Sequence, residues 1–362
     1  MRKPLPDFPW DALAPYAEKA RAHSAGIIDL SQGTPVDATP ELIQSALRES
    51  SDSPRYPVTA GTKELQSAIR NWAINHLGAT GDFDVLPVIG SKELVAWLPT
   101  FLESKQVIYP EVAYPTYLVG ALLAQSQPIA VGVDAKTWPN ADFAWINTPA
   151  NPTGRVHSEA ELRQTINWVR SNNAVLVCDE CYIDFGDTTV PTSLLKYTDG
   201  DNSNILVVHS LSKRSSMAGY RGAFLIGDSK LIAKIREVRK HAGMMVPLPI
   251  QNSMVAALSD EKHVEEQRER YNSRRAILAP ALQEAGFQID DSAAGLYIWC
   301  TRSEDSWKSV DWLASLGILA TPGTFYGPLG SSHIRLAMTA TDLQISDAAA
   351  RIRQAIKGQA IK

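Results

Sequence analysis

The run HSLSKRSSMAGYRGAFLIG, from His209 to Gly227, sets hydroxyls, an amine and a guanidinium close behind a short apolar stretch. Ser210, Ser212 and Lys213 stand where a buried strand is expected to end, and Arg221 follows eight residues after Lys213. An amine so placed can attack an aldehyde, and hydroxyls with a guanidinium can hold a phosphate. Polar residues are also common wherever a strand turns into a loop, so the rest of the chain has to supply the other parts of a site.

The elements that would position such a site are apolar runs with helical stretches between them. They are VLPVI (85–89), QVIY (106–109), PIAVGV (128–133), FAWIN (143–147), AVLVC (174–178), ILVVH (205–209) and AFLIG (223–227). Near-continuous apolarity predicts strands covered on both faces, hence an α/β fold with a mostly parallel sheet flanked by helices. In such a sheet ligands bind beyond the carboxyl ends of the strands, so the residues after each run are the informative ones.

After VLPVI, a glycine precedes Ser91 and Lys92, which open a helix whose free N–H groups suit a phosphate. After QVIY comes Tyr114, next to a proline and suited to a flat ligand face. After FAWIN comes TPANPTG with Asn151, and after AVLVC come Asp179, Glu180 and Tyr182. Taken singly, each has a plainer reading. Gly-Ser is a common helix start, a tyrosine can pack a loop, and Asn-Pro-Thr-Gly can be turn chemistry alone. An Asp buried at a strand tip, however, demands a cation or strong hydrogen bonds. One ligand would use every part, pyridoxal 5'-phosphate. It needs a lysine for its aldehyde, an acid for its ring nitrogen, donors to its ring hydroxyl and a cradle for its phosphate.

The bulk numbers bound the rest. With 362 residues, 44% of them hydrophobic and 20% charged, the chain can build a large core and a second, smaller domain. A net charge of −4 argues against a nucleic-acid surface and favours small molecules or other subunits as partners. Cys178, Cys181 and Cys300 have no metal-like spacing, so no metal is expected. The Cys178-x-x-Cys181 pair lacks other redox features, and reduced thiols of a cytoplasmic protein are the preferred reading. The N-terminal residues carry prolines and acids where a signal peptide needs an apolar stretch, and no run reaches membrane-spanning length.

Residues 36–265 are expected to form the large domain. Residues 1–35 and 266–362 are expected to form the small α+β domain from both termini. Its parts are a helix over about 10–23, a long helix in the stretch 261–286, strands at GLYIWC and HIRLAM, and a closing helix from Asp342.

SQGTP near residue 31, RYPVTAGTKELQSAI, NPTG, DECY and SLSKRSSMAGYRGAFLIG occur in one order and spacing across nearly the whole chain. Together they resemble the class I/II aminotransferases of the fold-type I pyridoxal-phosphate superfamily. The resemblance implies that Lys213 bonds the cofactor and moves the substrate Cα proton, that Asp179 pairs with the ring nitrogen, and that Asn151 and Tyr182 bind the ring oxygen. Tyr114 would stack on the ring, and Ser210, Ser212, Arg221 and the amides of Ser91 and Lys92 would hold the phosphate. Arg335 in HIRLAM would grip the substrate α-carboxylate, with Gly33 allowing close backbone approach; alone, Arg335 would read as a surface cation. Tyr56 would reach the phosphate of a neighbouring subunit, implying a homodimer with shared sites.

The phrases RKHAGMMVPLPIQ and TPGTFYGPLGSSHIRLAMTA are similar to N-succinyldiaminopimelate aminotransferases, particularly the actinobacterial type. That similarity implies ping-pong transfer between glutamate and N-succinyl-2-amino-6-oxopimelate in lysine and diaminopimelate biosynthesis. Such a substrate needs cations for its distal carboxylates, for which Lys92 and Arg214 are candidates, with Arg214 expected to face solvent. A general aminotransferase for aspartate, alanine or aromatic amino acids, and a carbon–sulfur β-lyase, share the same core. A non-enzymatic regulator would need a DNA-binding domain, for which the residues before SQGTP leave no room.

Overall fold

The structure is a computed structural model and describes residues 4–359. Residues 1–3 and 360–362, the extreme ends of the expected small domain, lie outside the described residues. Each of the seven apolar runs forms a strand. They are β1 (Asp84–Ile89), β2 (Gln106–Pro110), β3 (Gln127–Val131), β4 (Phe143–Asn147), β5 (Val175–Asp179), β6 (Ile205–Ser210) and β7 (Gly222–Gly227).

They make one sheet in the order β1-β7-β6-β5-β4-β2-β3, with β7 antiparallel to both neighbours and every other pairing parallel. The register sets Asn147 beside Asp179, and Asp179 beside Val208. β4 and β5 therefore end at one level and β6 runs two residues further, which is what lets residues far apart in sequence share one site.

Alternation along each strand feeds two cores. Leu176 and Cys178 face a cluster with Trp72, Ile146, Val207 and Phe224. Val177 faces the other side, with Leu94, Tyr117, Trp145 and Leu206. A third cluster joins the N-terminal helix through Leu13 and Ala17 to Leu282, Ile298, Leu313, Ile334 and Ile345. The chain there forms the helices Ala14–Arg21, Lys262–Glu284 and Asp342–Gln359 and a four-stranded sheet that includes Tyr297–Thr301 and His333–Ala337. Arg274, only 2% exposed, locks segments far apart in sequence together. It donates to both oxygens of Asp37 at 2.6 and 2.8 Å and to Asp342 at 2.6 Å.

Trp145 is fully buried on β4 and packs its ring 5.1 Å from Tyr117 and 5.3 Å from Phe143. Trp145→Ala should cost about 3–5 kcal/mol of stability, read as a fall in the denaturant midpoint at unchanged slope.

Candidate active site

At the carboxyl edge of the sheet lies a cavity of about 330 Å³. Its walls bring together Gly33, Ser91, Lys92, Tyr114, Asn151 and Asp179 with Tyr182, Ser210, Ser212, Lys213, Arg221 and Arg335. Two of the residues singled out from the sequence for a site role are held elsewhere: Tyr56, 94% exposed, and Arg214, which is buried, line no part of this cavity.

Asp179 ends β5 and is buried. Its Oδ2 accepts the Tyr117 hydroxyl at 2.8 Å and its Oδ1 the Cys181 N–H at 3.1 Å. Burial raises its carboxyl above the usual range, and these hydrogen bonds offset only part of that rise. The result is a carboxylate with enhanced proton affinity, suited to sharing a proton with a ring nitrogen. Glu180, next in sequence, points away from the cavity, where its Oε1 accepts the Leu194 N–H at 2.7 Å.

Asn147, the last residue of β4, fastens two loops. Its amide nitrogen donates to the carbonyls of Asp179 at 2.8 Å and Pro149 at 3.1 Å, while its oxygen accepts the Asn151 N–H at 2.7 Å. The Asn151 side-chain oxygen in turn accepts from Arg335 Nη1 at 2.9 Å. Arg335, 2% exposed, also donates from Nη2 to the Ser31 carbonyl at 2.6 Å and lies 4.0 Å from the centre of the Tyr297 ring. Its Nε has no hydrogen-bond partner among the described residues. A buried guanidinium with a spare N–H is a carboxylate receptor in waiting. The Tyr182 and Tyr297 hydroxyls meet at 3.1 Å, and a Cβ on Gly33 would run into the Tyr297 hydroxyl. Gly33 thus owes its lack of a side chain to a tyrosine across the cavity.

Ser210 caps the short helix Leu211–Arg214, accepting the Ser212 N–H at 3.2 Å and donating to the Ser212 hydroxyl at 2.9 Å. Behind Gly90, whose φ is +79°, the helix Ser91–Phe101 starts with no side-chain cap. A Cβ on Gly90 would occupy the space of the Arg221 guanidinium, so a helix N-terminus and a cation converge on one spot. That cradle, with the Lys213 amine in the same cavity, fits a phosphate-bearing aldehyde cofactor.

Burial pushes the Lys213 amine down to about 8 from an ordinary 10.5, and the Arg335 and Arg221 charges add to the fall. Arg214, expected at the surface, is instead 2% exposed on the far side of the helix that carries Lys213. It donates to Asp184 at 3.0 Å and to both oxygens of Glu261 at 2.7 and 2.8 Å, and it lies 5.2 Å from the centre of the Trp72 ring. Burial alone would raise the Asp184 carboxyl, but Arg214 and His76 hold it at about 2. The expectation failed because the hydrophilic residue after Lys213 faces a buried carboxylate that no local pattern announces.

Tyr117, Asn147 and Tyr297 escaped the sequence reading, as did Phe8 and Trp10 on the cavity wall. Asn147 carried a usable signal, a polar residue closing a fully buried strand. Tyr117 and Tyr297 sit in apolar surroundings and read as core. Cys178, Cys181 and Cys300 are free thiols.

The chain belongs to the class I and II aminotransferases, whose family model matches residues 25–352. It is 49% identical to a probable aminotransferase of Mycobacterium tuberculosis, over 96% of this chain and 85% of that protein. It is 48% identical to the 4-dedimethylamino-4-oxo-anhydrotetracycline transaminase of Streptomyces rimosus, over 96% and 99%. Among solved structures it superposes on a probable N-succinyldiaminopimelate aminotransferase of Thermus thermophilus with a TM-score of 0.89 and 26% identity, covering 96% of this chain and all of that one. The enzyme is a transaminase acting on amino acids and 2-oxo acids, and its cofactor is pyridoxal phosphate. No helix among the described residues is long and apolar enough to cross a membrane.

The lowered Lys213 pKa has a kinetic consequence. A protonated amine cannot attack an aldehyde, so the rate at which cofactor-free protein takes up pyridoxal phosphate should rise with pH and level off above about 8. Stopped-flow absorbance checks this; a rate still climbing toward 10.5 would mean an ordinary lysine. Arg214→Leu would leave Asp184 and Glu261 without their shared cation and should destabilise the fold by about 3–5 kcal/mol, measured by chemical denaturation.

Proposed function

We propose that the enzyme exchanges an amino group between glutamate and N-succinyl-2-amino-6-oxopimelate, by a ping-pong route, in the lysine and diaminopimelate pathway of the cytoplasm. The observation that carries this reading is a pair of cations in one cavity. Arg335 is buried against the Asn151 side chain, and Lys92 lines the same cavity, its Nζ 5.2 Å from the centre of the Phe8 ring. A substrate with carboxylates at both ends needs two such points. The likeness to the Thermus thermophilus structure supports the same class.

In this reading Asp179 holds the ring nitrogen of pyridoxal phosphate, and Asn151 and Tyr182 donate to its ring oxygen. Tyr114 covers one ring face. Ser210, Ser212, Arg221 and the amides of Ser91 and Lys92 take the phosphate. When bound, the cofactor supplies an electrophilic carbon and a ring that withdraws electrons from the substrate Cα. Lys213 takes the Cα proton, its lowered pKa matching that task near neutral pH. Arg335 fixes the α-carboxylate so that the Cα–H faces that amine.

Tyr56, exposed here, would complete the phosphate cradle of a neighbouring subunit in a homodimer. The working units are residues 36–265 and the pair 1–35 with 266–362.

A second reading has its own support. Phe8 and Trp10, 5.5 Å apart, line the cavity and offer aromatic surface to a flat polycyclic ketone, the class named for the Streptomyces rimosus relative.

The deciding experiment follows the cofactor absorbance of the purified enzyme during separate titrations with glutamate and N-succinyl-LL-diaminopimelate. Conversion by both supports the proposal. Conversion by glutamate alone discards the succinylated substrate and directs attention to polycyclic ketones as amino acceptors, while pyruvate release from cystathionine would indicate a β-lyase. Lys213→Ala should retain weak cofactor binding and lose turnover by about 10²–10⁴-fold or more. Asp179→Asn should lose most activity with the fold intact.

A further inference from the structure

A second cavity, of about 300 Å³, opens behind the loop that carries Asn151 and shares only Asn147 with the active-site wall. One side is apolar, built from Val112, Val131, Trp138 and Ile146. Two polar groups on its lining are unsatisfied. Arg155 bonds Glu161 through Nη2, but its Nη1 is buried with no hydrogen-bond partner among the described residues. His157 Nδ1 is buried in the same condition. Burial, followed by the Arg155 charge, pushes the His157 imidazole down to about 4, so at neutral pH it is uncharged and can donate or accept. Two carboxylates, Glu111 and Asp291, complete the lining; both residues are exposed, and neither takes part in a side-chain hydrogen bond or ion pair among the described residues.

Apolar walls with a few convergent polar groups, at the lower end of the usual volume range, are the attributes of a small-ligand site. A buried guanidinium N–H without an acceptor calls for an anion, since a desolvated donor left unpaired is unfavourable. An anion alone would meet Glu111 and Asp291, so the ligand must also carry a cation. We infer that this cavity binds an α-amino acid with an apolar or aromatic side chain. Its carboxylate goes to Arg155 and His157, its ammonium to Asp291 and Glu111, and its side chain to the Val131–Trp138 wall.

The position gives such a ligand a route to the chemistry. Asn147 holds both the Asn151 N–H and the Asp179 carbonyl, and Ala150 and Thr153 of the same loop also line the cavity. Across it, Asp291 and Ser292 are held at φ of +51° and +58°, and the backbone there is tied to that loop. The Ser292 N–H donates to the Thr153 carbonyl at 2.8 Å, and the Ala294 N–H donates to the Gly154 carbonyl at 3.1 Å. A ligand there would lie against the segment that carries Asn151, and any effect it has on substrate affinity is matched by an equal effect of substrate on its own. The inference does not depend on which amino acid the active site uses.

The test is calorimetric titration of the holoenzyme after its cofactor aldehyde has been capped with aminooxyacetate, which blocks the active site. The probes are L-leucine and L-phenylalanine, each compared with its decarboxylated amine and its deaminated acid. Saturable binding of one equivalent per chain is expected, weakened about ten- to a hundredfold when either charged group is missing. Val131→Trp, which fills the cavity, and Arg155→Met, which removes its cation, should each abolish binding while both proteins still melt cooperatively and react with glutamate. No saturable binding by either amino acid, or affinity unchanged in both variants, overturns the proposal. So does binding that ignores the loss of the ammonium or the carboxylate.

Discussion

The structure depends on keeping one carboxylate at the closed end of a buried strand. An isolated carboxylate there would be expensive, so Asp179 is supported by a phenol from below, an amide N–H from its own loop and a helix-and-strand frame that excludes water. Tyr117 can reach it only because the helix Thr116–Leu123 packs its buried face on Trp145 and Val177. Chemistry at the sheet edge and packing beneath it are the same set of contacts seen from two sides.

The strand tips work in pairs of neighbours that part company. Asp179 turns to the cavity while Glu180 turns inward, and Lys213 turns to the cavity while Arg214 turns to Asp184 and Glu261. His209 follows the same rule beside Ser210, lying 3.1 Å from Glu180 and edge-on to Trp72. The result is a polar layer behind the cavity, each member a chain neighbour of a residue that lines it. Charges buried in this way hold geometry more than they add stability, because desolvation consumes most of their attraction.

The substrate end is organised by a different principle. Arg335 comes from the sheet of the third core cluster, yet its partners are Asn151 on the large sheet's loop and Ser31 near the N-terminus. The Asn151 loop is also bound through its backbone to residues 292 and 294. A shift of the small sheet relative to the large one would therefore change the Arg335–Asn151 contact, which ties the geometry of this end of the cavity to the contact between the two sheets.

Local pattern was enough for the strands, since apolar runs of this length covered on both faces have few alternatives, and for the polar residues that follow them. Lys213, Asp179 and Asn151 were legible because each breaks an apolar or turn pattern at a place where a strand ends, and Arg221 because it stands just before the next strand begins. Tyr117 and Tyr297 were not, because an aromatic ring in apolar company reads as core until a neighbour takes its hydroxyl. Arg214 was misread for the converse reason: a cation is solvated unless an acid from elsewhere in the chain is waiting for it. Sequence determined the kinds of groups and the order in which they arrive. Only the tertiary structure decided which of them meet, because the parallel register and the return of the C-terminal sheet bring together residues whose separation along the chain carries no trace of their contact.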